Sequence, residues 1–314
     1  MKVASFFAGI GGICYGFKQA GFDIVYANEF DSKACENYKE NHPEVKLQEG
    51  DIRKIEADSL PDFDVFTGGF PCQPYSLAGK RDGLADVRGT LFFDIVRILK
   101  KKEPAALLLE NVKNIKSTNE GKDFDVILEH LKDCGYHIKY DVLGGHTHGN
   151  VPQCRERMFI AGFRDSLAAE KFDFPAPIPL TNTLENIFDR TQKKPDKYYY
   201  TPKSQYYKMM DDAMVNKSVY QMRRIYMREN KGGVCPTLTA NMGGGGHNVP
   251  VIRDEHGIRK LTPAECLRLQ GFPEEFKIKT SDVHIYKQAG NAVVVPLIKR
   301  IAQNMGKALG VLGT

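Results

Sequence analysis

The chain is 314 residues long with 42% hydrophobic and 26% charged residues, an ordinary globular composition that allows one large or two moderate domains and needs no covalent staples. A formal net charge of +5 and an isoelectric point near 8.7 are too mild to establish a nucleic-acid partner by themselves. The seven cysteines (positions 14, 35, 72, 134, 154, 235 and 266) are odd in number, scattered and without a C-x-x-C pair, which argues against a disulfide framework or a zinc site and for a reducing cytoplasm. No apolar run approaches the roughly eighteen residues of a membrane span.

Val3 to Phe7 reads as a first strand, and Ala8-Gly9-Ile10-Gly11-Gly12 as the turn that opens a helix through Ala20, closed by Gly21. Lys2 and the apolar residues from Val3 to Tyr15 imitate a secretory signal, but glycines at 9, 11, 12 and 16 interrupt them and a second strand follows. A Gly-rich strand-to-helix turn brings a ligand close to the backbone and offers it free amides. Gly9, Gly11 and Gly12 are the candidates, and a nicotinamide cofactor fits such a turn as well as any other. The second strand, Ile24 to Asn28, ends at Glu29, where folds of this kind bind ribose hydroxyls. A solvated surface acid is the plainer alternative. Phe30 can stack on an adenine or fill core. Asp31 to Asn41 reads as helix, and a strand-like piece from Val45 to Gln48 leads into Gly50-Asp51-Ile52, where Asp51 can accept a hydrogen bond from an adenine amino group.

Phe63-Asp64-Val65-Phe66-Thr67 reads as a buried strand that runs out into Gly68-Gly69-Phe70-Pro71-Cys72-Gln73-Pro74-Tyr75-Ser76. Cys72 therefore sits on a proline-stiffened turn beyond the carboxyl end of a strand, where open α/β sheets bind ligands. A lone Cys is more commonly buried, but the turn presents this sulfur outward. Residues 72–90 suit a lid, with Gly79, Gly83 and Gly89 as hinges and Lys80, Arg81 and Arg88 able to meet phosphates. A helix from Thr90 to Lys102, stopped by Pro104, precedes a strand from Ala105 to Leu109 that delivers Glu110 at its tip. A helix from Phe124 to Cys134 and strands Ile138 to Leu143 and Met158 to Phe163 complete an alternating β/α pattern.

Near Pro175 the helical and strand periods fade. Between Asp189 and Asn230 stand ten Lys or Arg against five acids, an excess equal to the net charge of the whole chain, together with seven tyrosines. Basic residues interleaved with aromatics suit phosphate contact and base stacking, although a solvated surface has the same composition. Thr262-Pro263 signals a helix through Gln270, and Ala289 to Leu309 reads as one terminal helix.

Phe7-Ala8-Gly9-Ile10-Gly11-Gly12, Phe70-Pro71-Cys72-Gln73, Glu110-Asn111-Val112, Gln153-Cys154-Arg155-Glu156-Arg157 and Gly290-Asn291 occur in this order over nearly the whole chain. Together they resemble the cytosine-5 DNA methyltransferases in the compact bacterial form that accompanies restriction systems. The resemblance implies a Rossmann-like α/β S-adenosylmethionine-dependent methyltransferase domain over 1–174, completed by a C-terminal helix at 286–314, and a smaller target-recognition domain over 175–285. It implies S-adenosylmethionine as cofactor, with S-adenosylhomocysteine as product, held by Phe7, Gly9, Gly11, Gly12, Glu29, Phe30, Asp51, Ile52, Pro71, Leu91 and Asn291. DNA contacts would come from Gln73, Ser76, Leu77, Arg88, Arg228, Thr237, Gly243 and Gly244. Cys235-Pro236-Thr237-Leu238-Thr239 is similar to the family's Thr-Leu element. Two departures stand out: the segment from Leu143 to Pro152 is one residue longer than usual, and Ala78 replaces a lid serine.

The implied chemistry is addition of the Cys72 thiolate to carbon 6 of cytosine, which makes carbon 5 nucleophilic toward a methyl donor. Arg157, with Arg155 as a further candidate, would favour the thiolate. Glu110 would read the Watson–Crick edge, and to donate to ring nitrogen 3 it must carry a proton. The base must leave the duplex first. No metal is expected, because the eight histidines lack ligand spacing. Double-stranded DNA is the expected partner, with a cognate restriction endonuclease on another chain. The protein is expected to act as a monomer in the bacterial cytoplasm, associated with the nucleoid, with no membrane contact. A transfer-RNA cytosine-5 methyltransferase and a catalytically silent DNA-binding subunit are the alternatives.

Overall fold

The computed structural model describes residues 1–70, 90–223, 225–242 and 249–312. In chain order the strands are β1 (Lys2–Phe6), β2 (Asp23–Glu29), β3 (Lys46–Glu49), β4 (Val65–Gly69), β5 (Ala106–Val112), β6 (His137–Gly144), β7 (Gln153–Cys154), β8 (Glu156–Phe163), β9 (Val219–Met222), β10 (Met227–Asn230), β11 (Cys235–Pro236), β12 (Val249–Asp254) and β13 (Gly257–Lys260). The helices are α1 (Gly12–Gln19), α2 (Ser32–Asn41), α3 (Thr90–Lys102), α4 (Lys122–Asp133), α5 (Gly145–His148), α6 (Ser166–Lys171), α7 (Leu184–Ile187), α8 (Tyr207–Ala213), α9 (Pro263–Arg268), α10 (Asp282–Asn291) and α11 (Val295–Ala308).

The chain packs as two compact units, one of residues 1–143, 156–176 and 298–314, the other of 144–155 and 177–297. The first holds a seven-stranded sheet in the order β3-β2-β1-β4-β5-β8-β6. Strands β3, β2, β1, β4 and β5 pair in parallel, and β8 runs antiparallel to β5. Parallel strands covered on both faces read as continuous apolar runs, and Ala106, Leu107, Leu108 and Leu109 of β5 are all fully buried. Helix α3 lays Phe92, Ile95, Val96, Ile98 and Leu99 into the same core. Asp31 caps α2 by accepting from the Lys33 and Ala34 amides.

The second unit holds a four-stranded antiparallel sheet, β10-β9-β12-β13, and the parallel pair β11-β7. Its strands fall where the sequence periods fade, because they are four to six residues long and interrupted by turns. The tyrosines read as a stacking surface are instead largely its interior. Tyr198 and Tyr220 are buried, and Tyr200, Tyr206 and Tyr207 pack on the core around Met210, Val251 and Ile258. Phenol rings supply apolar area while their hydroxyls find partners, as Tyr198 does at Asp282 and Tyr199 at Asp254. Only Tyr226 of the seven is exposed. The expected single terminal helix from Ala289 is two helices, because Ala292 is extended and Pro296 opens α11. Residues 286–297 pack in the second unit: the Tyr286 hydroxyl donates to Leu261 O, and the Val295 amide to Gln270 O.

Among the described residues no helix is long and apolar enough to cross a membrane, and no cluster of three His, Cys, Asp or Glu is placed to hold a metal ion.

Candidate active site

Two groups of residues stand at the carboxyl ends of the parallel strands of the first unit. The first begins where β1 ends. Phe7 (φ 53°), Gly9 (φ 57°) and Gly11 (φ 87°) all take left-handed conformations, folding the chain back into α1. At β2 the Glu29 carboxylate ties this turn down: Oε2 accepts from the Gly9 amide at 2.8 Å, and Oε1 from the Phe30 and Asp31 amides at 2.9 and 2.8 Å. Burial pushes the Glu29 carboxyl above its ordinary range, against the pull of those three amides. Phe30 is 73% exposed, so it does not fill core, and its ring is open to a stacking partner.

At β3, Asn28 Nδ2 donates to Gln48 O and Gly50 O, both at 2.9 Å, which fixes the approach to Asp51. The Arg53 side chain, hydrogen-bonded to Asp51, holds that carboxyl below its ordinary range. Ile52 is buried in the core, and its carbonyl accepts from Arg97 Nη2 at 3.1 Å. Leu91 packs partly buried against that core. A side chain at Gly9 or Gly50 would meet nothing within 4 Å among the described residues, which leave room above these strand ends for a ligand. An acid hydrogen-bonded at the end of β2, with an exposed ring beside it and open glycines around it, fits a nucleoside.

No local pattern signals what lies behind the turn. A Cβ on Gly11 would lie 2.2 Å from His42 Nε2, so only glycine fits there. His42 is buried between Tyr15 and Tyr38, and its ring nitrogens have no hydrogen-bond partner among the described residues. Burial lowers its pKa to about 4.

The second group lies on β4, β5 and β8. Antiparallel register sets Val112 opposite Arg157, and Arg157 Nε reaches diagonally to Glu110 Oε1 at 3.0 Å. Both side chains are nearly enclosed, at 16% and 11% exposure. Gly69 pairs with Glu110, and a Cβ on Gly69 would stand 3.1 Å from Glu110 Oε2, so the glycine makes room for the carboxylate. Asn111, a motif residue with no role assigned from sequence, donates from Nδ2 to Phe70 O at 3.0 Å. A carboxyl group braced by a guanidinium can face a planar base edge and hydrogen-bond to it.

Pro71, Cys72, Gln73, Ser76, Leu77 and Arg88, with the lid between them, lie outside the described residues, as do Gly243 and Gly244. In the second unit Arg228 is exposed on β10, Thr237 Oγ1 donates to Cys154 O, and Asn291 is exposed at the end of α10. Arg155 is only 2% exposed, and its two terminal nitrogens donate to Leu238 O and Gly290 O, each at 3.0 Å. Of the ten basic residues between Asp189 and Asn230, Lys193, Lys194 and Lys197 are paired with Asp196, Asp189 and Asp282, and Arg190 donates to the carbonyls of Arg253 and Lys217. That region's charge is therefore partly spent on its own fold.

Residues 1–307 match the family described as C-5 cytosine-specific DNA methylase. The type II methyltransferase M.Bsp6I of Bacillus sp. (strain RFL6) is 49% identical over 314 residues, covering 98% of this chain and 99% of that one. The type II methyltransferase M.NlaX of Neisseria lactamica is 38% identical over 310 residues, covering 98% and 97%. Among solved structures, a DNMT2 variant of Spodoptera frugiperda superposes with a TM-score of 0.76 at 20% identity, over 97% of this chain and 99% of that one. The S. pombe Dnmt2 methyltransferase does so with 0.75 at 19%, over 98% and 99%. At such identities the two structures speak for the fold alone.

Proposed function

The chain belongs to the C-5 cytosine-specific DNA methylases, and from that premise we propose how its residues carry the reaction. It is a DNA methyltransferase of the type II restriction–modification kind, using S-adenosylmethionine as methyl donor. The observation that carries the residue assignment is the Glu110–Arg157 pair beside Gly69, with the Phe70 carbonyl held by Asn111 two residues short of Cys72.

In this proposal the first unit is the catalytic domain and the second reads the DNA. Glu29 holds the cofactor ribose, Phe30 stacks on the adenine, and Asp51 meets its amino edge, with Ile52 assigned on its motif alone. The turn at Phe7, Gly9, Gly11 and Gly12 admits the rest, with Pro71, Leu91 and Asn291 assigned on their motifs alone. When bound, S-adenosylmethionine supplies an electrophilic methyl group. A cytosine swung out of the duplex meets Cys72, whose sulfur bonds to carbon 6 as the ring electrons shift toward nitrogen 3. Glu110, held in orientation by Arg157, donates the proton that nitrogen 3 takes up. After carbon 5 is methylated, loss of its proton expels the Cys72 thiolate and restores the aromatic ring. Gln73, Ser76, Leu77, Arg88, Arg228, Thr237, Gly243 and Gly244 are the proposed DNA contacts. Arg155, enclosed as it is, belongs with the positioning residues rather than beside the base. A cognate endonuclease on a separate chain, monomeric action and a cytoplasmic setting complete the proposal.

The test is incubation of purified protein with methyl-labelled S-adenosylmethionine and duplex DNA carrying 5-fluorocytosine, wild type against Cys72→Ala. Fluorine cannot leave as the proton does, so a labelled protein–DNA adduct that survives denaturant is expected from wild type and not from the variant. An adduct with fluorinated RNA but not DNA would move the substrate to RNA. An adduct that persists in Cys72→Ala would remove Cys72 as the nucleophile.

A further inference from the structure

Within the second unit, three of the recurring motif segments meet around a single peptide. Strand β11 pairs with β7 over two residues only, Cys235 with Gln153 and Pro236 with Cys154. A ladder of two residues, one of them a proline without an amide donor, offers few backbone hydrogen bonds to hold its register. Beyond it, side chains replace the ladder. The Leu238 amide donates to Gln153 Oε1 at 3.0 Å, and the Leu238 carbonyl accepts from Arg155 Nη1 at 3.0 Å. Both side chains come from β7 or the residue after it, and both are buried, Gln153 at 0% and Arg155 at 2% exposure.

The same two side chains reach past Leu238. Arg155 Nη2 donates to Gly290 O at 3.0 Å, and Gln153 Nε2 to Leu269 O at 2.6 Å. Backbone packing closes the other side: a Cβ on Gly290 would stand 2.2 Å from the Thr239 carbonyl carbon, so no other residue fits against that chain. Unlike a ladder, a guanidinium fork and a carboxamide have no repeat. They accept one peptide in one place, and so fix where the chain lies as it turns from Leu238 toward the exposed Asn241.

We propose that Arg155 and Gln153 are positioning residues for sequence recognition. They set the register of the segment from Thr237 to Asn241 and so decide which cytosines are methylated rather than how fast the chemistry runs. The inference rests on the proposed function, in which this segment faces DNA. Lysine cannot replace Arg155, since one ammonium group cannot hold two carbonyls in the geometry of a planar fork.

Plasmid DNA is treated with the purified full chain, as wild type, Arg155→Lys or Gln153→Met, plus S-adenosylmethionine. Methylated cytosines are then read by bisulfite sequencing, which scores every cytosine in the plasmid and so reveals the recognised context directly. Both variants should still form the 5-fluorocytosine adduct. The share of methylation outside the wild-type sequence context should rise roughly tenfold, the discrimination carried by one well-placed base contact. Slower methylation with an unchanged context would overturn the inference, and so would loss of the adduct in a folded Arg155→Lys protein. Should neither variant fold, amide exchange in wild type decides: Leu238 should exchange at least about a hundredfold more slowly than Asn241, and equal rates would refute the clamp. A wild type that methylates no DNA cytosine would refute the functional reading itself, a different outcome from either.

Discussion

Gly11→Ala tests whether the turn after β1, the proposed cofactor turn, is held from behind by His42. Alanine at 11 must keep φ near 87°, which costs about 1–2 kcal/mol for an L-residue. Its Cβ must also sit 2.2 Å from His42 Nε2, 2.6 Å from Cδ2 and 3.2 Å from Tyr38 Cε2. The imidazole has little freedom to retreat, with ring centroids of Tyr15 and Tyr38 at 4.4 and 4.6 Å and the residue 1% exposed. Overpacking of this kind costs about 1–3 kcal/mol, so the total should be about 2–5 kcal/mol, a large share of a typical domain's stability. His42→Ala would open the space that the new methyl needs. The double variant should therefore be more stable than the two single effects predict by about 1–3 kcal/mol, leaving the backbone strain unrelieved. Urea unfolding of the four proteins gives these differences from midpoints at constant slope, and S-adenosylhomocysteine titration tells whether the turn still binds. Additivity within about 0.5 kcal/mol, or a Gly11→Ala protein as stable as wild type, would refute the reasoning.

His42 also gives the fold a defined response to acid. Its pKa is about 4 in the folded chain and near 6.5 when unfolded, so the unfolded state takes up the proton first. Stability should be complete above about pH 6.5 and decline as pH falls toward 4, by about 3 kcal/mol at most, a slope that His42→Leu should lose in urea midpoints measured across that range. Glu29→Gln replaces one of two acceptor oxygens with a donor facing backbone amides that already donate, and should weaken S-adenosylhomocysteine binding by roughly 10- to 100-fold in calorimetry. An unchanged affinity would remove Glu29 from the site. If about five of the remaining basic side chains each neutralise one phosphate, DNA affinity should fall with salt at a log–log slope of about −4.5. Salt-independent binding would contradict any basic DNA-facing surface.

Local chemistry made much of this protein legible before any tertiary contact was known. Apolar runs ending in glycine or an acid marked β1, β2, β4 and β5, because buried parallel strands carry their signal in consecutive residues. Glu29 and Glu110 were picked out as candidates for the same reason: each is the first acid past such a run, and open α/β sheets bind ligands at their strand ends. The motif order was sufficient to identify the family. What escaped were features made by residues distant in sequence. His42 meets Gly11 only because α2 packs beside the first turn, and the Tyr-rich stretch counts as core only once β9, β12 and β13 have come together around it. Arg155 shows the limit most clearly. Two residues from Arg157 and of the same chemistry, it lies in the other compact unit, between carbonyls 83 and 135 residues along the chain. Sequence determines which groups a segment offers. Only the packed chain determines which of them are left facing a substrate, because burial and backbone partners are decided by segments that local sequence does not contain.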